Sequence, residues 1–513
     1  MVLSEKSELP QIFADVKSAA AENADTPTVL IIASHSIDSL AACTMLARLF
    51  EDELISHKVV SVTDYAELSR VYREQVIDAA ELRSIFLINN GGIIDLMSHL
   101  QQALDEADGD EPSGRLARNL PHPDCRWYIL DSHRPYSLEN IYHDPHEEEP
   151  PNVFVIHDGE QNEDLDDILS QLTILQDASE GEDSDEEDYE PPAQRRRVSQ
   201  AEYGSMSPDS QRDRRKWLKR LTRRYYGSSW HGTAASLLCY SLVQSLNKSQ
   251  NELLWLSIVG LTDQLVHERI EYEKYVGEAQ VLQAEVGALN QDGGDETREV
   301  AGEDGGPSVS VKQHIQSRLR LDSVQELRLS LMRHWTVYEA LQHSPYIASR
   351  LGLYQQRGRD KLDEWLARMG IPLEECKQEY QYMRKQFKGP LFEKMLQYGN
   401  EFGLCHLTYP SFRCVTSYGN TQLAAADLVS GVAAVLENYD ALEAGSFAGG
   451  AFAAAQKALL SGMRDGLERA TREGVMRDGI ERAKEMLRAT VRALPPARHA
   501  PHFILAWYDC LFC

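Results

Sequence analysis

Short apolar runs alternate with amphipathic segments over the first 160 residues, and this alternation limits what the chain can fold into. TVLIIAS (28–34) and CRWYILD (125–131) have the length and apolar content of strands that are buried on both faces. Strands that alternate with helices predict a parallel α/β sheet with helices on both faces. The predicted strands are 28–34, 58–62, 84–92, 125–131 and 152–158, and the predicted helices between them are 38–54, 65–76 and 93–104.

An acidic segment and then a basic segment follow this α/β region. Nineteen Asp or Glu and no Lys or Arg lie between Asp144 and Glu190, and 179–190 has almost no apolar content, so no core can form there. Eleven Lys or Arg and three acids then fall between Arg195 and Arg224. Because phosphate binding depends on Lys and Arg, the formal charge of −28 argues against wholesale polyanion binding. A local basic groove stays open as an alternative.

From residue 231 onward the pattern is mostly helical. The predicted helices are 233–246, 251–270, 322–344, 358–370, 422–439 and most of 451–494. We therefore predict an α/β domain at 1–160, a disordered acidic-then-basic insert at 161–212, a helical completion of the first domain at 213–289, a flexible acidic and Gly-rich loop at 290–310, a helical inter-domain region at 311–400 and a smaller C-terminal α/β domain at 401–513.

The sequence has no pattern typical of secretion or membrane insertion. Residues 1–10 contain no apolar signal region, and no stretch reaches eighteen apolar residues. The eight Cys are scattered, so we expect reduced thiols of an intracellular protein. For the terminal pair Cys510 and Cys513 we favour aromatic packing around Trp507 and Phe512 over a zinc site, since no second CxxC accompanies it.

Polar residues stand at the ends of three predicted strands and inside one apolar helix. Asp38, Asn89, and Asp131 with His133 follow strands, where ligand chemistry occurs in parallel sheets. Asp263 lies within an apolar helix, where a bare carboxylate is costly, so it needs a partner such as a buried His or a backbone N–H. A purely structural role is the alternative for each residue, since Asp and Ser are favoured helix caps.

The order of these motifs resembles the DHH phosphoesterase superfamily, which includes RecJ-type single-strand exonucleases. In that family, Asp and His from four motifs hold two divalent metals that activate a water and clamp a phosphate. The resemblance implies a DHH-type domain at the N-terminus and a DHHA1-like domain at the C-terminus. The matching stretches are ASHSIDSLAA (33–42), INNGG (88–92), LDSHRP (130–135) and IVGLTDQ (258–264).

Compared with the family, this chain lacks several metal ligands. It reads Ser36-Ile37-Asp38 in place of Asp-x-Asp, Asn89 in place of Asp, and Asp131-Ser132-His133 in place of Asp-His-His. An Asn amide is a neutral and weaker ligand for a hard cation. We therefore predict a remnant site with no catalytic residue, bound metal or cofactor, in which His133 and Arg134 are the expected partners of Asp263. The remnant positions are Asp38, Asn89, Asp131, His133 and Asp263.

The wording of the motifs is closest to a degenerate, RecJ-like branch of the superfamily that acts in eukaryotic DNA replication. The match covers most of 28–437 and includes SYGNTQLAAADLVSGVAAVLE (417–437). It implies a nuclear, non-catalytic scaffold subunit of the replicative helicase. The implied partners are the minichromosome-maintenance hexamer, the GINS tetramer, weakly bound single-stranded DNA, and replication-initiation factors and polymerases, with no membrane. The ending YDCLFC departs from the pattern, so we expect the last domain to be incomplete.

Two other functions remain as alternatives. One is an active metal-dependent single-strand exonuclease or phosphoesterase of the same fold. The other is a general single-strand binder that acts without the ring; it predicts tight, salt-dependent DNA affinity, against which the net acidity argues.

The acidic and basic segments contain candidate regulatory and contact residues. Ser179 and Ser184 lie among acids and Ser207 precedes a proline, so they are candidate phosphorylation sites, with a solvated loop as the alternative. A candidate nuclear-import cluster consists of Arg195, Arg196 and Arg197. Candidate DNA contacts, interleaved with aromatic residues that we expect first to pack, are Arg214, Arg215, Lys216, Lys219 and Arg220.

Overall fold

The structure is a computed structural model of the chain. The residues that it describes are 2–21, 26–77, 79, 81–108, 125–142, 152–159, 165, 167–169, 208–292, 297–300, 309–312, 319–416, 422–437, 449–460 and 478–489. The chain divides into two compact units. Unit 1 comprises 1–32, 55–58 and 65–233, and unit 2 comprises 33–54, 59–64 and 234–513.

The described elements are thirteen strands and eighteen helices, leaving aside short single turns. The strands are β1 Val2–Glu5, β2 Val29–Ser34, β3 His57–Val62, β4 Ser84–Ile88, β5 Arg126–Leu130, β6 His133–Arg134, β7 Val153–His157, β8 Trp230–His231, β9 Thr297–Val300, β10 Val309–Lys312, β11 Leu319–Leu327, β12 Thr408–Thr416 and β13 Gln422–Ala424. The helices are α1 Leu9–Ala21, α2 Ile37–Asp52, α3 Tyr65–Val71, α4 Leu96–Asp108, α5 Leu138–Ile141, α6 Pro208–Tyr225, α7 Ala235–Ser245, α8 Asn251–Val266, α9 Tyr272–Asp292, α10 Val337–His343, α11 Pro345–Leu351, α12 Gln356–Arg368, α13 Leu373–Cys376, α14 Lys385–Lys388, α15 Leu391–Gly399, α16 Ala425–Leu436, α17 Gly449–Leu459 and α18 at 478–489.

Unit 1 is built on a six-stranded sheet with the order β1-β7-β5-β4-β2-β3, from which β2 and β3 continue into unit 2. The pairs β1–β7, β7–β5 and β5–β4 are parallel, which confirms the predicted α/β class. The register places Phe86, Tyr128 and Phe154 side by side, and Tyr128 stacks on both neighbours at centroid distances of 5.0 and 5.5 Å. Such pairs contribute about 0.5–1.5 kcal/mol each beyond their burial. Strand β1 was not predicted, since four residues give no readable alternation.

The basic segment re-enters unit 1 as helix α6, as predicted. Leu218, Leu221 and Tyr225 are buried on one face, while Lys219 and Arg220 are exposed on the other. The helix begins at Pro208, inside the range predicted as an insert up to residue 212, because proline is favoured in the first helical turn, where its missing N–H is not needed.

Unit 2 contains a buried helical layer and a small antiparallel sheet. Helix α8 is buried along almost its whole length, in keeping with its continuous apolar sequence, and α2, α7 and α16 pack against it. The sheet has the order β11-β12-β13. Helices α10 to α15 form a further core around Trp365, which is fully buried. Helix α12 confirms the helix predicted for 358–370.

The prediction of one helix over 322–344 was wrong. Residues 319–327 form β11, which pairs antiparallel with β12 from Leu319↔Thr416 to Leu327↔Thr408. Leu319, Leu321 and Leu327, which share one face of the strand, are buried, and the long-range pairing overrides the local helical pattern. The region predicted as helical from 311 to 400 therefore begins with a strand.

The range 290–310 also differs from its prediction as a flexible loop. It contains the end of α9, β9 and the first residues of β10, and β9 pairs antiparallel with β10. Val300 at the end of β9 pairs with Val309 at the start of β10, and β-branched residues favour the extended backbone.

Two further sequence predictions can be compared with the described residues. Six cysteines lie in this part of the chain and all are free thiols. None of its helices is long and apolar enough to cross a membrane. The predictions for Ser179, Ser184, Ser207, the cluster 195–197 and the ending from 490 to 513 lie outside the described residues.

Candidate functional site: two buried carboxylate clusters

The first cluster lies in unit 1 at the carboxyl ends of β4 and β5. Asp131 is 1% exposed, and its two carboxylate oxygens accept three hydrogen bonds. Oδ2 accepts from the Gly92 N–H at 3.0 Å, while Oδ1 accepts from the His133 N–H at 2.9 Å and pairs with His133 Nδ1 at 2.6 Å. Both oxygens of this predicted remnant position are therefore engaged by donors of the protein.

These donors keep Asp131 ionised. Burial alone would raise the pKa of Asp131, but the charge of His133 and the hydrogen bonds from His133 and Gly92 outweigh burial and hold the pKa below its ordinary value. The folded protein thus stabilises a carboxylate here without a metal ion.

Gly92 and Asn89 shape the turn that faces Asp131. A Cβ on Gly92 would lie 2.7 Å from Asp131 Oδ2, so a side chain at this position would remove the hydrogen bond. Asn89 has a φ of +51°, a left-handed conformation that Asn tolerates well, and its Oδ1 accepts from the Ser132 N–H at 2.9 Å. The Asn89 amide therefore fixes the neighbouring turn.

Arg134 also stabilises the turn that contains Asp131. It is buried, and its guanidinium donates to the carbonyl of Asp131 at 2.6 Å and to Asp158 Oδ2 at 3.3 Å. Asp158 also accepts from the Thr233 N–H at 2.8 Å. The positive charge of Arg134 is thus paired inside unit 1.

The second cluster lies in unit 2 around Asp38, which is buried in the first turn of α2. Its Oδ2 accepts from the Ala235 N–H at 2.8 Å and its Oδ1 from the Ser236 N–H at 3.0 Å. The first N–H groups of a helix have no acceptor within the helix itself, and Asp38 supplies one for α7. Its negative charge also interacts favourably with the helix dipole at this end. Asp38 therefore caps a neighbouring helix, while Ser36 caps α2 itself.

Asp263 contacts a histidine and an arginine side chain of unit 2. His267 Nδ1 lies 2.8 Å from Oδ1, and Arg269 Nη1 lies 3.3 Å from Oδ2. Burial raises the pKa of Asp263, but His267, Arg269 and a hydrogen bond from the Asp38 backbone outweigh it and hold the pKa below its ordinary value. Asp263 therefore has a His partner, which is half-buried.

The particular partners predicted for Asp263 were wrong. His133 and Arg134 belong to unit 1, where they pair with Asp131 and Asp158. The reason is local: a His four residues after Asp263 faces the same side of the helix end. His35, which precedes Asp38 by three residues, pairs through Nε2 with the carbonyl of Leu436 at 2.8 Å.

Glu437, which sequence reasoning missed, follows α16 and faces this second cluster. Burial raises its pKa to about 7; the charges of His267 and Arg269 oppose the rise, and the charge of Asp263 adds to it. No motif marks this residue, because only the fold brings it to the cluster.

We expect Glu437→Gln to change the pH dependence of stability. The folded pKa lies above the unfolded value, so ionised Glu437 lowers the free energy of unfolding as pH rises from about 4.5 to 7, and this penalty is fully present above pH 7. Glu437→Gln should therefore be about 1–2 kcal/mol more stable than wild type at pH 8 and close to wild type at pH 4.5. Urea unfolding at both pH values measures the difference. The free energy of unfolding of the exposed control Glu393→Gln should stay within about 0.5 kcal/mol of wild type at both pH values. An equal gain in stability for Glu437→Gln at both pH values would contradict the expectation.

The donor arrangement does not fit a pair of hard dications. Asp38, Asp131 and Asp263 each have both oxygens engaged by N–H donors or cationic side chains, and Asn89 contributes no charge. Within the described residues, no group of three or more His, Cys, Asp or Glu side chains is arranged to hold a metal ion. Structural roles account for every contact named above.

The predicted DNA contacts on α6 are described in part. Lys219 and Arg220 are exposed, and Lys216 is half-buried. The side chains of Arg214 and Arg215 lie outside the described part of the chain, although their backbone belongs to α6.

A sequence model of the CDC45 family matches residues 29–194 and 170–494. The cell division control protein 45 homolog of Schizosaccharomyces pombe is 27% identical over 434 residues, which cover 80% of this chain and 62% of that protein. The Homo sapiens homolog is 27% identical over 490 residues, which cover 94% of this chain and 75% of that protein.

A crystal structure of CDC45 from Entamoeba histolytica has the same fold. It matches with a TM-score of 0.63 at 21% identity, covering 96% of this chain and 74% of that one. This chain thus spans only part of each of these relatives, including less than two thirds of the Schizosaccharomyces pombe protein. Since the family model matches well over half of the residues, the chain belongs to the CDC45 family.

Proposed function

We propose that this chain is a non-catalytic scaffold subunit of the eukaryotic replicative DNA helicase, acting in initiation and elongation of DNA replication. The membership of the family and the name of its relatives, cell division control protein 45, support the role in replication. One observation carries the non-catalytic part: the carboxylates that match the metal ligands of DHH phosphoesterases are held by protein donors. Asp131 accepts three hydrogen bonds in unit 1, and Asp38 caps a helix in unit 2.

This arrangement favours a structural role of these carboxylates over catalysis. A two-metal phosphoesterase needs carboxylate oxygens that are available to both ions. In this chain, a metal would have to displace the main-chain N–H groups that donate to Asp38 and Asp131. The remnant motifs then serve to join α2 to α7 and to fix the turns after β4 and β5.

The partners follow from the family. We infer binding to the minichromosome-maintenance hexamer and the GINS tetramer, work alongside initiation factors and polymerases, and a nuclear location. Weak contact with single-stranded DNA is consistent with the exposed face of α6, where Lys219 and Arg220 lie one and two residues beyond the buried Leu218. Basic side chains beside aromatic residues are the usual surface for single strands.

A nuclease assay tests the non-catalytic proposal. Purified protein with Mn²⁺ and end-labelled single-stranded DNA should release no mononucleotides, and Asp131→Ala should give the same trace. Sustained release by wild type that Asp131→Ala abolishes would establish the phosphoesterase alternative. Co-purification with the hexamer and GINS, followed by cross-linking, tests the scaffold role independently; failure to co-purify would count against it.

The DNA contact is tested by charge reversal on α6. We expect the double change Lys219→Glu and Arg220→Glu to weaken binding of a fluorescent oligonucleotide by about 10-fold at low salt, because each lost phosphate contact lowers affinity. Fluorescence anisotropy over a salt series measures both affinity and slope. Lys361→Glu, an exposed reversal on α12, is the matched control. Equal affinities for all three proteins would exclude α6 as the contact.

A further inference from the structure

Two aromatic side chains of unit 1 remain exposed to solvent just after helix α6. In the described part of unit 1, the exposed large apolar side chains are those of Ile93, Tyr226 and Trp230, with exposed fractions of 43%, 46% and 38%. By contrast, Tyr225, the neighbour of Tyr226, is buried. Exposed apolar side chains that lie together among polar residues typically mark an interaction site.

The segment 134–138 holds both aromatic residues in one surface. The Leu138 N–H donates to the Tyr226 hydroxyl at 2.9 Å, and Trp230 pairs with Arg134 in the register of β6 and β8. Tyr226 and Trp230 are four positions apart, so their Cα atoms are no more than about 14 Å apart. The two rings are therefore within reach of one extended ligand.

A row of basic side chains on α6 leads to Tyr226. Lys219 and Arg223 are both exposed, and their spacing of four places them on one face of the helix. The Tyr226 N–H donates to the carbonyl of Thr222 at 3.0 Å, so helical hydrogen bonding continues to Tyr226, three positions beyond Arg223. The exposed ring therefore extends the face that carries the two cations.

Exposed cations beside exposed aromatic rings match the chemistry of a single-stranded nucleic acid. Lys and Arg neutralise the phosphates, and unpaired bases stack on aromatic rings. The bases of a duplex already stack on one another, so a duplex offers this surface its phosphates alone. An acidic peptide would use the cations in the same way, but it carries no planar base for the rings.

We propose that Tyr226 and Trp230 form a stacking platform for unpaired bases and that Lys219 and Arg223 hold the neighbouring phosphates. The platform makes this surface of unit 1 select single strands over duplexes, which the charge of α6 alone does not do. This inference rests on the proposed function, since it names the side chains that carry selectivity at the proposed DNA contact.

Fluorescence anisotropy with the full chain and a labelled oligothymidylate tests the platform. We expect Trp230→Ala and Tyr226→Ala each to weaken binding about 5-fold or more, while Trp230→Phe, which keeps a ring, retains most of the affinity. The dependence of affinity on salt should keep its wild-type slope, because no phosphate contact is lost. The matched control is Tyr382→Ala, which removes an aromatic side chain of unit 2 that is 66% exposed and should bind as wild type does.

The outcomes separate this inference from the proposed DNA contact of α6. Wild-type affinity in both alanine variants, together with weaker binding by the double change Lys219→Glu and Arg220→Glu, would overturn the platform alone. Failure of the wild-type chain to bind the oligonucleotide would overturn both. Equal losses for duplex and single strand, or displacement by polyglutamate as effective as by unlabelled oligonucleotide, would show recognition of charge alone and would also overturn the platform.

Cross-linking of the unaltered protein removes any dependence on how the variants fold. An oligonucleotide substituted with thiothymidine should cross-link on irradiation to the tryptic peptide 225–248, which contains Tyr226 and Trp230. Cross-links confined to other peptides would overturn the platform.

Discussion

Gly260→Ala is expected to destabilise unit 2 by about 3 kcal/mol or more. A Cβ at this position would lie 1.9 Å from Ser236 Oγ and 2.5 Å from Asp38 Oδ1, and all three residues are buried in α2, α7 and α8. Overpacking costs about 1–3 kcal/mol, and pushing Asp38 off the two N–H groups of α7 leaves buried donors unpaired at about 1–3 kcal/mol. Urea unfolding followed by circular dichroism measures the loss.

The matched control is the same substitution at another helical glycine of unit 2. Gly277 lies on α9 with nothing within 4 Å of an added Cβ, so Gly277→Ala should be neutral or stabilise by about 0.5–1 kcal/mol. Hydrogen exchange should show the damage of Gly260→Ala at the start of α7, where Asp38 accepts from the backbone. Similar unfolding midpoints for both variants would refute the close approach of α8 to Asp38.

Asp131→Ala is expected to cost unit 1 about 3–5 kcal/mol. The substitution removes the acceptor of three donors, the Gly92 N–H, the His133 N–H and the His133 imidazole, at a site that is 1% exposed. Leaving the two main-chain donors unpaired costs about 1–3 kcal/mol each, while the pair with His133, which is 39% exposed, adds little because solvent screens it. Thermal and urea unfolding measure the change, with hydrogen exchange at 88–92 and 131–134 to localise it.

A surface ion pair of unit 1 provides the control for Asp131→Ala. Asp15 pairs with Arg126 at 3.0 Å, but the two side chains are 42% and 48% exposed, so Asp15→Ala should cost less than about 1 kcal/mol. If Asp131→Ala unfolds at the wild-type midpoint, the carboxylate is not a structural element, and a role in chemistry regains support.

The parallel sheet could be predicted from the sequence, because strands buried on both faces appear as continuous apolar runs. The β11–β12 pair could not, since LRLDSVQEL has leucines at spacings that suit both a helix and a half-buried strand, and its partner lies about ninety residues further on. Long-range pairing of this kind has no local signature.

The candidate site was predictable in its residues but only partly in its contacts. Asn89, Asp131 and His133 lie just after β4 and β5, Asp38 lies in the first turn of α2, and Asp263 lies in the buried α8. Their partners are mostly main-chain N–H groups of residues such as Gly92, Ala235 and Ser236, which carry no side-chain signal. His267 is the exception, because its spacing of four from Asp263 was readable on the helix.

The use of main-chain donors constrains how this chain could evolve. Backbone N–H groups persist through substitution by any residue except proline, so exchanging neighbouring side chains does not release Asp131 or Asp38 for another ligand. Asn89→Asp would add a carboxylate, yet its oxygen would still meet the Ser132 N–H. To release these carboxylates for another ligand, the loops that supply the N–H groups would have to move, and a single side-chain substitution does not achieve that.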